Sequence, residues 1–158
     1  MKRRITIIGI FVLLICTLIT GCNSRGKDIF KKLYFSPARE DVLKEFGEPS
    51  QSVESDGEIW NDIYDEIEFM GEKGELRIFY RGRGYVTSAE FEVLFPSSNA
   101  SNKQVANKYA DAISKLFSRK YGEADLEGYW YPTNCDELYI YNLIDYSGDN
   151  FDVTVYLN

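Results

Sequence analysis

The feature that most limits what this chain can fold into is its apolar N-terminal run, which takes the first 21 residues out of the folded domain. Met1-Lys2-Arg3-Arg4 gives a positive start, and no acidic residue follows as far as Thr20. The run ends at Gly21-Cys22, short of the roughly 20 apolar residues that a membrane-spanning helix needs. A basic start, a short apolar stretch and small residues before a cleavage point are typical of a secretion signal. We therefore expect residues 1–21 to be removed.

The end of this run, Leu18-Ile19-Thr20-Gly21-Cys22, resembles the lipobox of bacterial lipoproteins. In that motif a leucine, a variable residue, a small residue, and glycine or alanine precede the cysteine. The resemblance implies that Cys22 receives a diacylglyceryl group and becomes the first residue of the mature protein. Two acyl chains anchor a protein far more firmly than one. The expected location is the extracytoplasmic face of a bacterial cell membrane, with 22–28 as a polar tether; the alternative is an ordinary signal peptide with a coincidental Cys22.

Composition limits the partners and the kind of fold. Removing 21 of the 158 residues leaves 137, enough for one domain with a sizeable core. Loss of the three basic residues at the start leaves 15 basic against 25 acidic residues, a net charge of −10. This charge argues against nucleic acid as a partner and predicts repulsion from anionic lipid. With Cys16 removed and Cys22 acylated, Cys135 has no cysteine to pair with, so the fold must depend on its apolar core.

Helical and strand patterns alternate along the rest of the chain. A short helix is predicted to begin at Ser36-Pro37 and end at Gly47, and a long amphipathic helix is predicted from Asn102 to Tyr121. Alternation of period two predicts strands over 58–70, 76–80, 89–95, 128–131, 138–144 and 151–157. The short turns between the first three strands predict an antiparallel meander. We therefore predict an α+β domain over 29–158.

The two halves of the domain are similar to each other. Phe46-Gly47-Glu48 follows the first helix and Tyr121-Gly122-Glu123 follows the second, and each is followed by a tryptophan and then by strands. This similarity predicts two αβββ units, 29–96 and 97–158. An αβββ unit has one apolar sheet face to cover, so the two units are expected to share one antiparallel sheet with both helices packed on the same face.

The first of these units also resembles two families of small binding proteins. A short helix leading into Phe46-Gly47-Glu48-Pro49-Ser50, followed by Trp60 on a strand, is similar to the start of the outer-membrane-assembly lipoproteins of the SmpA/OmlA (BamE) type. It is also similar to the related fold of β-lactamase-inhibitor proteins. These families are binding modules without catalysis. The resemblance therefore implies a binding role for this chain.

Catalytic and metal sites have few candidate residues. The chain contains no histidine, which excludes Ser-His and Cys-His nucleophile pairs and His-ligated zinc. An acidic run alternates with Ile59, Ile63, Ile67 and Phe69, which predicts the solvated face of a strand rather than a metal site. Its members are Asp56, Glu58, Asp62, Asp65, Glu66, Glu68, Glu72 and Glu75. We predict no catalytic residue, no metal and no cofactor.

Two groups of residues are the candidates for binding. Arg81 and Arg83 lie in an Arg-Gly-Arg-Gly hairpin of an otherwise acidic protein. They could bind an anionic ligand or a carboxylate of a partner. More often, however, such a sequence is an ordinary solvent-exposed turn without a ligand. Trp130, Tyr139 and Tyr141 lie in the aromatic C-terminal strands. Exposed aromatic side chains are enriched in protein interfaces, while strand propensity alone also explains their presence.

The function predicted from these features is a lipid-anchored extracytoplasmic binding module that has no chemistry of its own. Its partners would be the bilayer, through acylated Cys22, and a protein or a cell-wall component. One variant is an immunity or superinfection-exclusion lipoprotein, because small acidic surface lipoproteins can neutralise basic toxins. The competing class is a carboxylate-dependent hydrolase of wall glycans, which requires two carboxyl groups about 5 Å or about 6.5–9.5 Å apart in a cleft.

Overall fold

A computed structural model describes residues 28–131 apart from positions 56, 83 and 127, residues 138–144 as backbone, and residues 149–158. A short 3₁₀ helix, Ile29–Lys32, precedes two α-helices, α1 (Arg39–Phe46) and α2 (Asn102–Tyr121). The strands are β1 (Gln51–Ser55), β2 (Glu58–Phe69), β3 (Glu72–Arg81), β4 (Tyr85–Pro96), β5 (Tyr129–Trp130), β6 (Leu138–Ile144) and β7 (Asn150–Leu157). The predicted α+β class is confirmed. The signal segment, Cys22 and Cys135 lie outside the described residues.

All seven strands form one sheet in the order β1-β2-β3-β4-β7-β6-β5. Every pairing is antiparallel, and the central β4–β7 pair runs in unbroken register from Ala89 opposite Leu157 to Pro96 opposite Asn150. The four strands before α2 form one meander, and the three strands after it form a second. The two meanders therefore meet through their last strands at the middle of the sheet.

The core lies between one face of this sheet and a layer made by the 3₁₀ helix, α1 and α2. Phe30 of the 3₁₀ helix lies edge-on to Phe69 of β2 and Phe117 of α2, with ring centroids 6.0 and 6.4 Å apart. Phe69 in turn lies edge-on to Phe91 of β4 at 5.6 Å. All four rings are almost completely buried. Ring packing of this kind stabilises a core beyond the area it buries, so the aromatic cluster joins the helical layer to the sheet.

Helix α1 begins later than Ser36-Pro37, which the sequence predicts as its cap and first residue. Its first residue is Arg39, and Ala38 before it forms an isolated bridge with Tyr85 at the start of β4. The carbonyl of Pro37 accepts a hydrogen bond of 3.0 Å from the amide of Val86. The Ser-Pro segment is therefore drawn into extended pairing with β4, because that pairing satisfies backbone groups that helix entry would leave free.

Strand β2 does not keep the single parity that its isoleucines predict. Its register with β3 shifts between Tyr64 and Ile67, and Glu66 has a φ of 56°, as expected of a β-bulge. Ahead of the bulge the buried side chains are Asp62 and Tyr64, while Ile59 and Ile63 are only half-buried; beyond it Phe69 is buried. One extra residue thus exchanges the two faces of the strand within its length.

No helix in the described part of the chain is long and apolar enough to cross a membrane.

Candidate functional site

The sheet has a second face that the helical layer does not cover, here called the open face. Along β3, β4 and β7, side chains alternate between the core and this face, and the cross-strand register keeps the two sets apart. The open face carries mostly half-buried polar and charged groups. Its residues on the three central strands are Glu75, Arg77, Phe79, Ser88, Glu90, Glu92, Leu94, Asp152, Thr154 and Tyr156.

An arginine lies between carboxylates at the middle of the open face. Arg77 Nη2 is 2.5 Å from Glu75 Oε1, and Arg77 Nη1 is 3.8 Å from Glu90 Oε2. The hydroxyl of Tyr156 on β7 donates to the other oxygen of Glu90 at 3.1 Å. Three strands thus contribute to one polar cluster, and Glu90 is held by both a cation and a phenol.

Glu92 and Asp152 leave this cluster with an excess of negative charge. Burial, followed by the charges of Glu90, Asp152 and Glu75, raises the pKa of Glu92, and Arg77 compensates only in part. Asp152 Oδ1 is shielded from solvent and accepts no hydrogen bond from the described residues. A cluster in which carboxylates outnumber the cation by four to one favours the approach of an additional positive charge.

A shallow groove of about 420 Å³ lies at the end of the sheet beside the β3–β4 hairpin. Phe79 and Ser88 contribute from the open face, and Trp60, which is 58% exposed, also lines the groove. Arg81, a candidate from the sequence, also lines this groove and is exposed. Arg83 lies outside the described residues. The groove therefore combines apolar ring surface with the cation of Arg81 and the carboxylate of Glu58.

The strand register places Tyr139 and Tyr141 on the open face. Position 139 pairs with Tyr156 and position 141 with Thr154, and both of these partners belong to the open face. Their neighbours Leu138 and Ile140 pair with core positions on β7. The two tyrosine positions predicted as an aromatic surface are therefore contiguous in the backbone with the acidic cluster.

Trp130 is a core residue, which corrects its prediction as a binding residue. Its side chain is only 6% exposed, and its ring lies 5.7 Å from that of Phe117. The indole Nε1 donates to Ser118 Oγ at 3.3 Å. The ring packs under α2, so a ligand on the open face cannot reach it. The exposed aromatic residue next to it is Tyr131, whose hydroxyl donates to Asp125 Oδ2 at 2.8 Å.

Asp62 is the main exception to the predicted solvated acidic face, because it is completely buried. Arg39 at the start of α1 donates to both of its oxygens, from Nε at 2.7 Å and from Nη2 at 3.1 Å. Ser52 Oγ and the Tyr80 hydroxyl add hydrogen bonds at 2.6 and 3.0 Å. Burial alone would raise the pKa of Asp62, but these hydrogen bonds outweigh it and hold the pKa below its ordinary value. Asp62 therefore ties α1 to the sheet.

Asp28 is a second buried carboxylate and is part of the domain rather than the end of the tether. It caps the 3₁₀ helix by accepting a hydrogen bond of 3.0 Å from the amide of Phe30. The hydroxyls of Tyr34 and Tyr121 also donate to it, and Lys120 Nζ lies 3.4 Å away. Burial and the charge of Asp28 raise the pKa of Tyr34 far above its ordinary value, so this phenol stays protonated and donating.

Nothing in the described part of the chain groups three or more acidic or cysteine side chains in a way that could hold a metal ion. The acidic cluster is interrupted by Arg77, which occupies the place between Glu75 and Glu90 that a cation would take. The sequence predicts β4 as a strand, but Glu90 and Glu92 are not among its candidate site residues. Their signal is present, because Glu90 and Glu92 alternate with Phe91 and Val93.

No protein-family model matches the chain, and no curated protein matches it either. Among solved structures, the chain is similar to a DUF4309 family protein (YjgB) from Bacillus subtilis subsp. subtilis str. 168. The likeness covers 82% of this chain and 96% of that one, at 15% sequence identity and a TM-score of 0.36.

Proposed function

We propose that the mature chain is a lipid-anchored binding module on the extracytoplasmic side of a bacterial membrane, and that its open face holds a basic segment of a protein partner. The observation that carries this proposal is the charge imbalance of the open face. Arg77 contacts Glu75 and Glu90, and Glu92 and Asp152 add two further carboxylates to this part of the open face. Burial and the neighbouring acids raise the pKa of Glu92. A bound lysine or arginine would relieve that repulsion, so complementary charge would speed association and select the partner.

Exposed apolar and aromatic side chains support a protein partner in particular. Leu94, 52% exposed, lies two residues after Glu92 on β4, and Trp60, 58% exposed, lines the groove to which Phe79 and Ser88 of the open face contribute. Arg81 adds a donor for a carboxylate of the partner. A charged centre with apolar and aromatic groups at its edge resembles the composition of protein interfaces. An immunity lipoprotein that neutralises a basic toxin is a specific form of this role, as is superinfection exclusion.

The anchor in this proposal is acylated Cys22. Its support is the lipobox-like sequence together with the position of Asp28, where the folded domain begins six residues after the cysteine. Two acyl chains would hold the domain at the membrane, whereas one would bind only marginally.

The two αβββ units remain part of the proposal. Both helices end on a glycine with nearly the same conformation, φ 84° and ψ −162° at Gly47 and φ 90° and ψ −172° at Gly122. Each is followed by an antiparallel meander, and the meanders pair through β4 and β7 so that the order of β2 to β4 is mirrored by β7 to β5. Units 29–96 and 97–158 would then differ by the extra strand β1 and by the exposed Trp60 against the buried Trp130.

Site-specific photo-cross-linking in living cells tests the proposed interface. A photoreactive residue replaces Leu94 on the open face, and the matched control replaces Val105, which is 39% exposed on α2. We expect a defined partner, identified by mass spectrometry, to be captured from position 94 and not from position 105. Capture should be lost in Cys22→Ala, which cannot be acylated, and in Glu92→Lys, which reverses one charge of the cluster. Equal capture from both positions would contradict the proposed interface.

A second candidate, a carboxylate-dependent hydrolase of wall glycans, has one observation in its favour. Glu92 has a raised pKa, as a general acid requires, and lies two residues from Glu90, which Arg77 and Tyr156 hold. Cleavage of purified wall glycan that is lost in both Glu90→Gln and Glu92→Gln, with the fold retained, would establish this function. The two buried acids do not fit it, because protein donors already surround Asp28 and Asp62.

A further inference from the structure

The positive charge of this acidic protein is concentrated in helix α2. The helix contains five basic residues and one acidic residue, a net charge of +4 within a chain whose net charge is −7. Its basic residues are Lys103, Lys108, Lys115, Arg119 and Lys120. The N-terminal part of the sequence from position 25 to 32 is also basic, because Arg25, Lys27, Lys31 and Lys32 outnumber Asp28. The net charge of the chain is therefore a poor guide to the local charge of either the helical layer or the sheet.

The outer surface of α2 carries three of these cations in one line. Gln104, Lys108, Asp111, Lys115 and Arg119 follow one another at spacings of three or four residues, and all five are exposed. Residues at that spacing share one side of a helix. The opposite side, with Ala106, Ile113 and Phe117, is buried against the sheet. The line of exposed residues, here called the basic stripe, thus points away from the sheet.

The chain enters the domain on the same side of the sheet as the basic stripe. Asp28 docks at the C-terminal end of α2, where Lys120 and the hydroxyl of Tyr121 contact its carboxylate. Six residues after Cys22 span at most about 20 Å even when fully extended. An acyl anchor on Cys22 would therefore hold this end of α2 close to the headgroups, with exposed Lys31 and Lys32 beside it.

The open face lies on the other side of the sheet and carries the opposite charge. Glu75 and Glu90 contact Arg77 there, Glu92 and Asp152 add two more carboxylates, and the sheet lies between these groups and the helical layer. The repulsion from anionic lipid that the total charge predicts thus applies to the open face, and the basic stripe would be attracted. Attraction of exposed basic residues to an anionic surface acts within a Debye length, about 10 Å at 0.1 M salt.

We propose that the basic stripe, together with Lys31 and Lys32, rests on the anionic headgroups of the anchoring membrane, which turns the open face outward toward its partner. The orientation rests on the proposed anchoring of Cys22, and it adds that the domain has a fixed membrane-facing side. The stripe supplies the surface charge, and the docked Asp28 brings the tether to the same side.

Lipid-attached quenchers test this orientation in the lipidated mature protein reconstituted into vesicles. A fluorophore is placed at Gln104→Cys on the stripe or at Leu94→Cys on the open face, in a Cys135→Ser background; both positions are exposed. With phosphatidylcholine–phosphatidylglycerol vesicles at low salt, we expect quenching at position 104 to exceed that at 94 by at least about threefold. The difference should disappear in phosphatidylcholine alone, at 1 M salt, and in a Lys108→Gln/Lys115→Gln/Arg119→Gln variant.

Flotation of the same vesicles separates the two proposals. If the protein floats with the vesicles but quenching is equal at the two positions, or does not depend on the charge of the lipid, the proposed orientation is wrong. Protein that fails to float in any vesicle would overturn the anchoring by Cys22 and, with it, the orientation. The triple variant replaces only exposed residues, so its circular dichroism and Tm should match those of the starting protein and exclude a folding defect as the cause.

Discussion

The two faces of the sheet carry carboxylates in opposite electrostatic situations. On the core face, Asp62 is completely buried and receives hydrogen bonds from Arg39, Ser52 and Tyr80, so its pKa is lowered. On the open face, Glu92 is half-buried among other acids, and its pKa is raised. The first carboxylate is fully compensated within the fold, whereas the second lacks compensation that a partner could supply. A buried acid therefore suggests a binding site only when the fold does not itself supply the hydrogen-bond donors and cations that compensate its charge.

The largest effect should come from removing a core side chain while leaving its neighbour on the open face. Phe91 and Leu94 belong to β4, yet Phe91 is completely buried and Leu94 is 52% exposed. We expect Phe91→Ala to lower the free energy of unfolding by about 3–5 kcal/mol. Leu94→Ala should change it by less than about 1 kcal/mol. Urea unfolding of both variants measures the difference, and similar losses would contradict the assignment of the two faces.

The second-largest effect should come from removing the buried charge of Asp62. Asp62→Asn removes the charge that faces Arg39, whose side chain is 27% exposed and can be partly rehydrated. We expect a loss of about 2–3 kcal/mol, below the range for a fully buried pair because of that exposure. Glu90→Gln on the open face is the control and should cost less than about 1 kcal/mol. A loss at Asp62 no larger than that at Glu90 would show that the buried network does not stabilise the fold.

A methyl group at Gly74 tests how closely the core face is packed. A Cβ there would lie 2.2 Å from the backbone oxygen of Glu92, and 2.8 and 2.9 Å from side-chain atoms of Phe91 and Val93. Because one of these atoms is backbone, the strands must shift to admit the methyl group. We expect Gly74→Ala to cost about 1–3 kcal/mol, while Lys73→Ala at the neighbouring exposed position should be nearly neutral. A Tm of Gly74→Ala equal to that of the unsubstituted protein would contradict this packing.

The pH dependence of stability should differ in sign for the two carboxylates. The lowered pKa of Asp62 means that its contribution is present above the ordinary pKa near 4 and is lost as pH falls through the folded-state value. The raised pKa of Glu92 means that stability is lost as pH rises through the ordinary value toward the folded-state one. Denaturant melts from pH 3 to 7 should show Asp62→Asn losing its defect toward low pH. A defect independent of pH would contradict the charged network.

The smallest effect should be at Glu92 itself. Glu92→Gln removes like-charge repulsion, so we expect it to stabilise the protein at pH 7 by less than about 1 kcal/mol. The gain should shrink toward pH 3, where Glu92 of the unsubstituted protein is protonated. A destabilisation at pH 7 would show that the ionised carboxylate has a compensating partner and that the open face is electrostatically satisfied.

The sequence predicted the elements whose apolar period is unbroken. Helix α2 has the predicted bounds, and Val93 on β4 and Val153 on β7 are buried as the alternation requires. The prediction was wrong where a contact between distant segments outweighs the local alternation of apolar residues. A bulge beyond Tyr64 reverses the faces of β2 and places Asp62 inside, because Arg39 from another element arrives to pair with it.

The candidate site could be predicted only in part, for a related reason. Alternation along β4 marks Glu90 and Glu92 as facing away from the core, but the other two acids that raise the pKa of Glu92 come from different strands, Glu75 from β3 and Asp152 from β7. The pairing of β4 with β7 joins segments that are more than fifty residues apart. The aromatic C-terminal strands make Trp130 a binding candidate, but its burial and its contact with Phe117 of α2 show that it lies on the core side.

Carboxyl carbon NMR titration of Asp62 and Glu92 in one sample of the folded protein tests the central claim most directly. The account predicts a pKa for Asp62 below its ordinary value of about 3.9 and a pKa for Glu92 above its ordinary value of about 4.3. Unshifted values for both groups, or a lowered value for Glu92, would contradict the division of the sheet into a compensated core face and an uncompensated open face.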